Sequence, residues 1–315
     1  MWIERGIAHL RRQQPSGITI GAFDGVHLGH QALIRRLVSD AHARGLEPLV
    51  VTFDPLPRQR LRPDEYRLLS ALTERLVHIE ALGVAGVVVI PFDTDLIHTS
   101  AEVFADQLVA HLALTRLWIG PDFRMGRDRQ GDATFLREAG SRLGFTVDVM
   151  DEVVIWEDHP VRSRRIRSAL RAGNLREANG CLGYPYRLSG RVVHGDQRGQ
   201  SLGFPTANLE LPEERLLPAN GVYICHAHLG ELADPAGTTY GAIINVGTRP
   251  TFDHDTPSVE AHLLDFSEDI YGQTLRLDFV KRLRPELKFP SASALIEQMH
   301  RDEAAARHWL KRHSL

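Results

Sequence analysis

Near residue 182 the apolar pattern of the chain changes period, and that change limits its fold more than any other feature. Before it, short apolar runs alternate with stretches of helical spacing. Gly17–Ala22 reads as a strand, and Gly29–Ala43 as a helix with Ala32, Leu33, Leu37 and Ala41 on its apolar side. Pro48–Phe53 is the next strand and Thr73–Leu82 the next helix. Gly86–Ile90 is a nearly continuous β-branched run, as expected of a strand covered on both faces. Ser100 is placed to cap a helix carrying Val103, Phe104, Leu108 and Leu112. Arg116–Ile119 and Phe145–Met150 add strands, with Asp132–Arg142 helical between them. Strand and helix alternating in this way predict right-handed crossovers and a parallel, Rossmann-like sheet with helices on both faces. Ligands of such sheets sit beyond the carboxyl ends of the strands.

After the change, runs with partial two-residue alternation follow one another: Arg187–His194, Gly221–Leu229, Tyr240–Val246, Ser258–Leu264 and Leu275–Leu283. Turn residues separate them, which predicts an antiparallel β-barrel or sandwich. A helix over Ser291–Leu310 ends the pattern. Two short helical stretches, Ser163–Arg171 and Leu175–Leu182, precede the change and stop at Gly183 and Pro185. The expected domains are therefore residues 1–182, α/β, and residues 183–315, a barrel with a terminal helix. A chain of 315 residues fits two domains.

Composition removes several function classes. The net charge is −3 with histidines neutral, so no global field draws the chain to nucleic acid or to an anionic membrane. Two cysteines, Cys181 and Cys225, are too few for a disulfide scaffold or an all-cysteine zinc site. No apolar run reaches the roughly 18 residues of a membrane span, and the first residues lack a signal-peptide core. The expectation is a soluble, reduced, cytoplasmic protein; nothing in the pattern sets its oligomeric state.

Chemistry concentrates in two places. Between the first strand and first helix stands Gly21-Ala-Phe23-Asp24-Gly25-Val-His27-Leu-Gly29-His30. Glycines let the backbone approach a ligand, and a helix start aims amides at an anion. His27 and His30 would add two donors beside a nucleotide's phosphates. A zinc site is the weaker reading, since no third and fourth ligands stand nearby. Such a loop suits adenylyl transfer, in which positioning and charge stabilisation provide most of the catalysis. In the second half no G-x-x-x-x-G-K-[ST] loop exists. Instead Gly195, Gly199 and Gly203 precede Phe204-Pro-Thr206-Ala-Asn208. Those glycines suit a loop whose amides wrap polyphosphate, and Thr206 and Asn208 would share one face of a strand. Their oxygens are hard donors suited to Mg²⁺. Taken alone, the same segment is also an ordinary glycine-rich turn before a strand.

Together these segments resemble the bifunctional riboflavin kinase/FAD synthetases of prokaryotes. The resemblance runs in order through G-x-F-D-G-V-H-x-G-H, Phe53-Asp54-Pro55, Trp118-Ile-Gly-Pro-Asp122-Phe123-Arg-Met-Gly, Gly131-Asp132 and Arg165-Ile-Arg167. It continues through G-F-P-T-A-N, Asn245-Val-Gly-Thr-Arg249, the strand with Glu260, and Arg284-Pro-Glu286-Leu-Lys-Phe289. The resemblance implies riboflavin, FMN and ATP as substrates, with Mg²⁺, and neither nucleic acid nor membrane as partner. It implies Gly21, Phe23, Asp24, Gly25, Gly29, Ser163, Arg165 and Arg167 on the adenylyl-transfer nucleotide, with His27 and His30 catalytic. Flavin contacts are implied at Asp54, Asp122, Phe123, Asp132, Arg249, Arg284, Glu286 and Phe289. The resemblance implies that Thr206 and Asn208 hold Mg-ATP, and Glu260 is expected to be the base that accepts the riboflavin hydroxyl proton. Two departures stand out. Val161-Arg162-Ser163-Arg164 replaces a hydroxyl-rich stretch, and Leu56 stands where the family has histidine. They leave open a kinase with weakened adenylyl transfer; a nucleic-acid reader with a remnant of the histidine motif is the rival from another class.

Overall fold

The computed structural model describes residues 1–194, 204–230, 238–250 and 255–313. They divide into two compact units, Met1–Ser163 and Arg164–Leu315.

In the first unit, strands β1 (Trp2–Arg5), β2 (Ser16–Ile20), β3 (Glu47–Phe53), β4 (Gly86–Ile90), β5 (Leu114–Ile119) and β6 (Thr146–Val149) form one sheet. Its order is β1-β4-β3-β2-β5-β6, and every pairing is parallel. Helices α1 (Leu28–Ala43), α2 (Pro57–Leu61), α3 (Leu72–Glu80), α4 (Thr94–His98), α5 (Ala101–Leu112) and α6 (Ala133–Leu143) join the strands. Two apolar clusters sandwich the sheet. Leu49 and Val51 of β3 and Val88 of β4 face one cluster, with Phe104 and Leu108 of α5 and Leu136 of α6. Val50, Val87 and Val89 face the other, with Ile34 and Leu37 of α1 and Ile79 of α3. Alternate side chains thus serve opposite cores, which is why these strands read as continuous apolar runs. Ser100 caps α5 as expected, accepting from the Val103 N–H.

The order places the topological switch between β2 and β5. From β2 the chain steps outward through β3 to β4 and then returns to the other side of β2. The loops that leave β2 and β5 therefore flank one crevice, where open α/β sheets bind ligands. β1 has no counterpart in the sequence pattern. It is a largely exposed edge strand whose Trp2 ring lies where a Cβ on Gly86 would stand. A two-strand hairpin, β7 (Ile155–Trp156) with β8 (His159–Pro160), follows the sheet.

In the second unit, helices α7 (Ser163–Arg171) and α8 (Leu175–Leu182) lead into six strands. These are β9 (Tyr186–Val193), β10 (Ala207–Glu210), β11 (Gly221–Leu229), β12 (Thr239–Pro250), β13 (Asp255–Leu263) and β14 (Thr274–Arg284). They close into an antiparallel barrel in the order β10-β13-β12-β11-β14-β9. Tyr223, Cys225, Ile244, Val246, Val259, Ala261, Leu277 and Phe279 fill it and are essentially buried. Helix α9 (Ala292–Arg312) lies on the outside, packing Ala306, Trp309 and Leu310 over Ile224, Ile243 and Leu264. Asn179 ties α8 to the barrel: its amide donates to the Phe279 carbonyl at 2.8 Å and accepts from the Tyr186 N–H at 2.8 Å. The division into compact units therefore falls after Ser163, earlier than the change of hydrophobic period near 182.

Candidate functional site

The first candidate site is built on the exit from β2. The chain turns through Gly21–Val26 and enters α1 with His27 as its N-cap. The Nδ1 atom of His27 accepts from the His30 N–H at 3.3 Å, which leaves the ring proton on Nε2 as a donor. The two imidazoles stack with centroids 3.6 Å apart, and Phe23 meets His30 edge-on at 5.2 Å. Phe23 adopts a left-handed φ of 47° and Gly25 one of 77°, so the loop is sharply bent. The Phe23 ring is buried beneath the loop and occupies the space a Cβ on Gly21 would need.

Asp24 has a different task from the phosphate contact expected of it. Its buried carboxylate accepts from the N–H groups of Leu69 and Ser70 and from the hydroxyls of Ser70 and Tyr66, at 3.0–3.3 Å. It ties the loop to segment 66–70; a carboxylate turned instead toward a triphosphate would repel it. Gly25 donates to the Ser70 hydroxyl at 2.8 Å. The segment of departures also reaches this place. The Val161 carbonyl is 3.8 Å from where a Cβ on Gly29 would lie. Arg162 pairs with Asp122 of the loop after β5 at 2.8 Å, both side chains being exposed.

The other expected residues are dispersed in role. Phe123 packs on the core beneath α5 and α6. Asp132 is the N-cap of α6, accepting from the Phe135 N–H at 3.0 Å, and that bond lowers its pKa. Asp54 follows β3 and lies 3.4 Å from Arg5. Leu56 is buried and fills core. In the second unit Arg165 pairs with Glu177 at 2.7 Å, and Arg167 is buried on α7. Arg75, Tyr66 and Ser70 hold the first loop in place, and the sequence reading missed all three. No short motif marks them; their partners are backbone atoms and a carboxylate 22 to 53 residues away.

The second candidate site is a row across the barrel. Asn208 of β10 stands opposite Glu260 of β13, and Glu260 stands opposite Asn245 of β12. Directly opposed residues of antiparallel strands share a face. Their neighbours Val259, Ala261, Ile244 and Val246 point into the barrel, so the row lies on its outside. Asn208 is buried, while Glu260 and Asn245 are half-buried. Gly247, two residues beyond Asn245, shares that face, and a Cβ there would run into Oε1 of Glu286. Glu286 in turn accepts from the Asn220 amide at 3.1 Å. Thr206 is half-buried immediately before β10.

One expectation changes here. Arg284 points its guanidinium at Asp302 of α9, with three N–O distances of 2.7–3.1 Å, so it anchors that helix instead of presenting an open donor to flavin. Its guanidinium carbon lies 5.8 Å from the centre of the Phe289 ring. Phe204 is buried between His262 and His300, with ring centroids 5.3 and 5.0 Å away. Arg249 lies on β12 opposite Thr256. Gly195, Gly199 and Gly203 lie outside the described residues.

A family model described as FAD synthetase matches residues 9–165, and one described as riboflavin kinase matches residues 182–310. The bifunctional riboflavin kinase/FMN adenylyltransferase of Haemophilus influenzae is 36% identical over 310 residues, covering 98% of both chains. The protein of the same description from Escherichia coli K12 is 38% identical over 313 residues, covering 98% of this chain and 97% of its own. A crystal structure described as a macrolide-efflux protein from Streptococcus pneumoniae shares the fold, with a TM-score of 0.87 at 30% identity, over 98% of this chain and 100% of its own. Among the described residues no helix is long and apolar enough to cross a membrane. With both family models matched in that order and relatives aligned end to end, the chain belongs to the bifunctional riboflavin kinase/FMN adenylyltransferases.

Proposed function

We propose that the barrel carries the riboflavin kinase site and the α/β unit the FMN adenylyltransferase site, each with the residues described above. The observation that carries this reading is the Asn208–Glu260–Asn245 row, which sets a carboxylate between two amides in register. In the kinase step the Glu260 carboxylate accepts the proton of the riboflavin 5′-hydroxyl. The freed oxygen attacks the γ-phosphorus of ATP, the bond to the β-phosphate oxygen breaks, and ADP leaves. Asn208 and Thr206 offer the hard oxygens that fit a divalent cation on the phosphates, and Mg²⁺ is the ion this donor set suits. Such an ion, when bound, neutralises charge on the transferring phosphoryl group. Among the described residues no cluster of three or more His, Cys, Asp or Glu could hold a metal, so phosphate oxygens would complete the shell. Glu286, an expected flavin-side residue, lies beside this row.

In the adenylyl step a phosphate oxygen of FMN attacks the α-phosphorus of ATP, the α–β bridging bond breaks, and pyrophosphate leaves. The α1 N-terminus and the His27 Nε2–H supply donors to the oxygens that gain charge, and His30 is held against His27 for the same purpose. Two stacked rings could not both be cationic without mutual repulsion, and a polyphosphate beside them would relieve it. Gly29 lies beside the Val161 carbonyl, and Arg162, next along the chain, pairs with Asp122. We assign residues 1–182 and 183–315 to the two activities, and place the enzyme in the cytoplasm, where its two buried thiols stay reduced.

The test is Glu260→Ala. FMN formation from riboflavin should fall by at least about 10²-fold, the usual minimum for losing a general base. FAD formation from supplied FMN should stay unchanged. Equal loss of both activities would contradict separate sites.

A further inference from the structure

Arg75 on α3 is 2% exposed, and no step above uses it. Its Nη1 donates to the Ala22 carbonyl at 2.9 Å and its Nη2 to the Phe53 carbonyl at 3.0 Å. Those carbonyls belong to the exits of two adjacent strands, β2 and β3, which pair in parallel. One exit leads into the Gly21–His27 loop and the other to Asp54. The Thr52 hydroxyl also donates to the Ala22 carbonyl, at 3.4 Å. Asp24 and Asp54 both act electrostatically on the Arg75 charge, favouring it against the burial that opposes it.

A planar trans peptide points its C=O and N–H in opposite directions. With the Ala22 carbonyl held on Arg75, the N–H of Phe23 must face the other way. The residue after that peptide, Phe23, has the left-handed φ of 47°. A non-glycine residue keeps such a backbone only where its surroundings over-determine it. The Arg75 fork restrains the loop from the strand side, and the Asp24 tether restrains it from segment 66–70.

The geometry points to Arg75 as a positioning residue for adenylyl transfer: its fork locks the Ala22–Phe23 peptide so that the Phe23 N–H serves as a backbone donor to the ATP phosphates, and fixes that loop against the Asp54 exit. This rests on the Gly21–His27 loop being the ATP cradle. The bland alternative is a buried arginine that only holds two strand ends together. The two roles differ in what a conservative replacement does. Lysine keeps the charge and one bond but has no planar fork to span both carbonyls.

The full-length Arg75→Lys and Arg75→Met variants are compared with wild type for FAD formation from FMN, well below the lower melting transition. Riboflavin phosphorylation in the same samples serves as control. For Arg75→Lys we expect kcat for FAD formation to fall about tenfold or more while KM for FMN moves less than about twofold, the signature of a contact that matters in the transition state. Arg75→Met should fall further, and kinase rates should stay at wild type. If Arg75→Met does not fold, Arg75→Lys decides. Wild-type kcat in Arg75→Lys, or a loss no larger than its unfolded fraction, overturns the assignment. His30→Ala separates the layers. If it is inactive in FAD synthesis while Arg75→Lys is fully active, only the Arg75 role fails; if it makes FAD normally, the cradle reading itself fails.

Discussion

Glu286 reaches the Asn245 row only because residue 247 has no side chain. The clash that alanine would create there is with the end of an exposed, flexible carboxylate, so the protein can relieve it by moving Glu286 aside. Gly247→Ala should therefore cost less than about 1 kcal/mol of stability but displace a carboxylate from the proposed flavin side. Steady-state kinetics should show KM for riboflavin raised about three- to tenfold with kcat nearly kept. Asp278, on the opposite outer face, makes a different prediction. Burial alone would raise its pKa, but bonds from His228 and Arg187 and the charges of Arg187 and Arg276 outweigh burial and hold it down at about 2. A carboxylate depressed in the folded state stabilises fully above its unfolded pKa of about 3.9 and loses that contribution as pH falls toward 2. Two pK units correspond to about 2–3 kcal/mol. Asp278→Asn should thus lower the urea midpoint of the barrel at pH 7, and the gap to wild type should narrow between pH 4 and pH 2. A gap that is the same at both ends would contradict the ion cluster. None of this was legible in the residues alone. Asp278 and Glu260 are both single acids in alternating strands, and only pairing register shows which one meets arginines and which one meets amides.

At the scale of elements, the sequence was most informative where one pattern had one physical cause. β4 was read to the residue because both its faces are buried, and β11 because glycine and leucine bound a mostly buried run. The cap of α5 was legible because a serine three residues before an apolar stripe has few other uses. β1 escaped because a strand with one neighbour has little to bury, and the hairpin β7–β8 because two-residue strands leave no period. Asp24 and Arg284 were assigned by resemblance to ligands, but the structure shows that both hold elements in place. That yields a test at α9. The side chain of Asp302 is 9% exposed and receives the Arg284 fork. Asp302→Ala leaves that guanidinium without its acceptor and should destabilise the barrel by about 3 kcal/mol. It should lower the melting temperature while leaving KM for riboflavin within about twofold. A large rise in KM without loss of stability would return Arg284 to the flavin.

For the whole molecule, the two-part architecture was legible from the change of period and the two activities from the order of motifs. The division into compact units was not, because α7 and α8 carry helical pattern but belong with the barrel through Asn179 and the Leu170 carbonyl, which accepts from Ala219. The central claim is that two independent phosphate cradles act in sequence, one on each unit. Incubating full-length His30→Ala with riboflavin, ATP and Mg²⁺ and separating the products by chromatography tests it most directly. The account predicts FMN accumulating at the wild-type rate with FAD formation reduced at least about 10²-fold. FAD appearing at the wild-type rate, or FMN formation lost together with FAD, would contradict it.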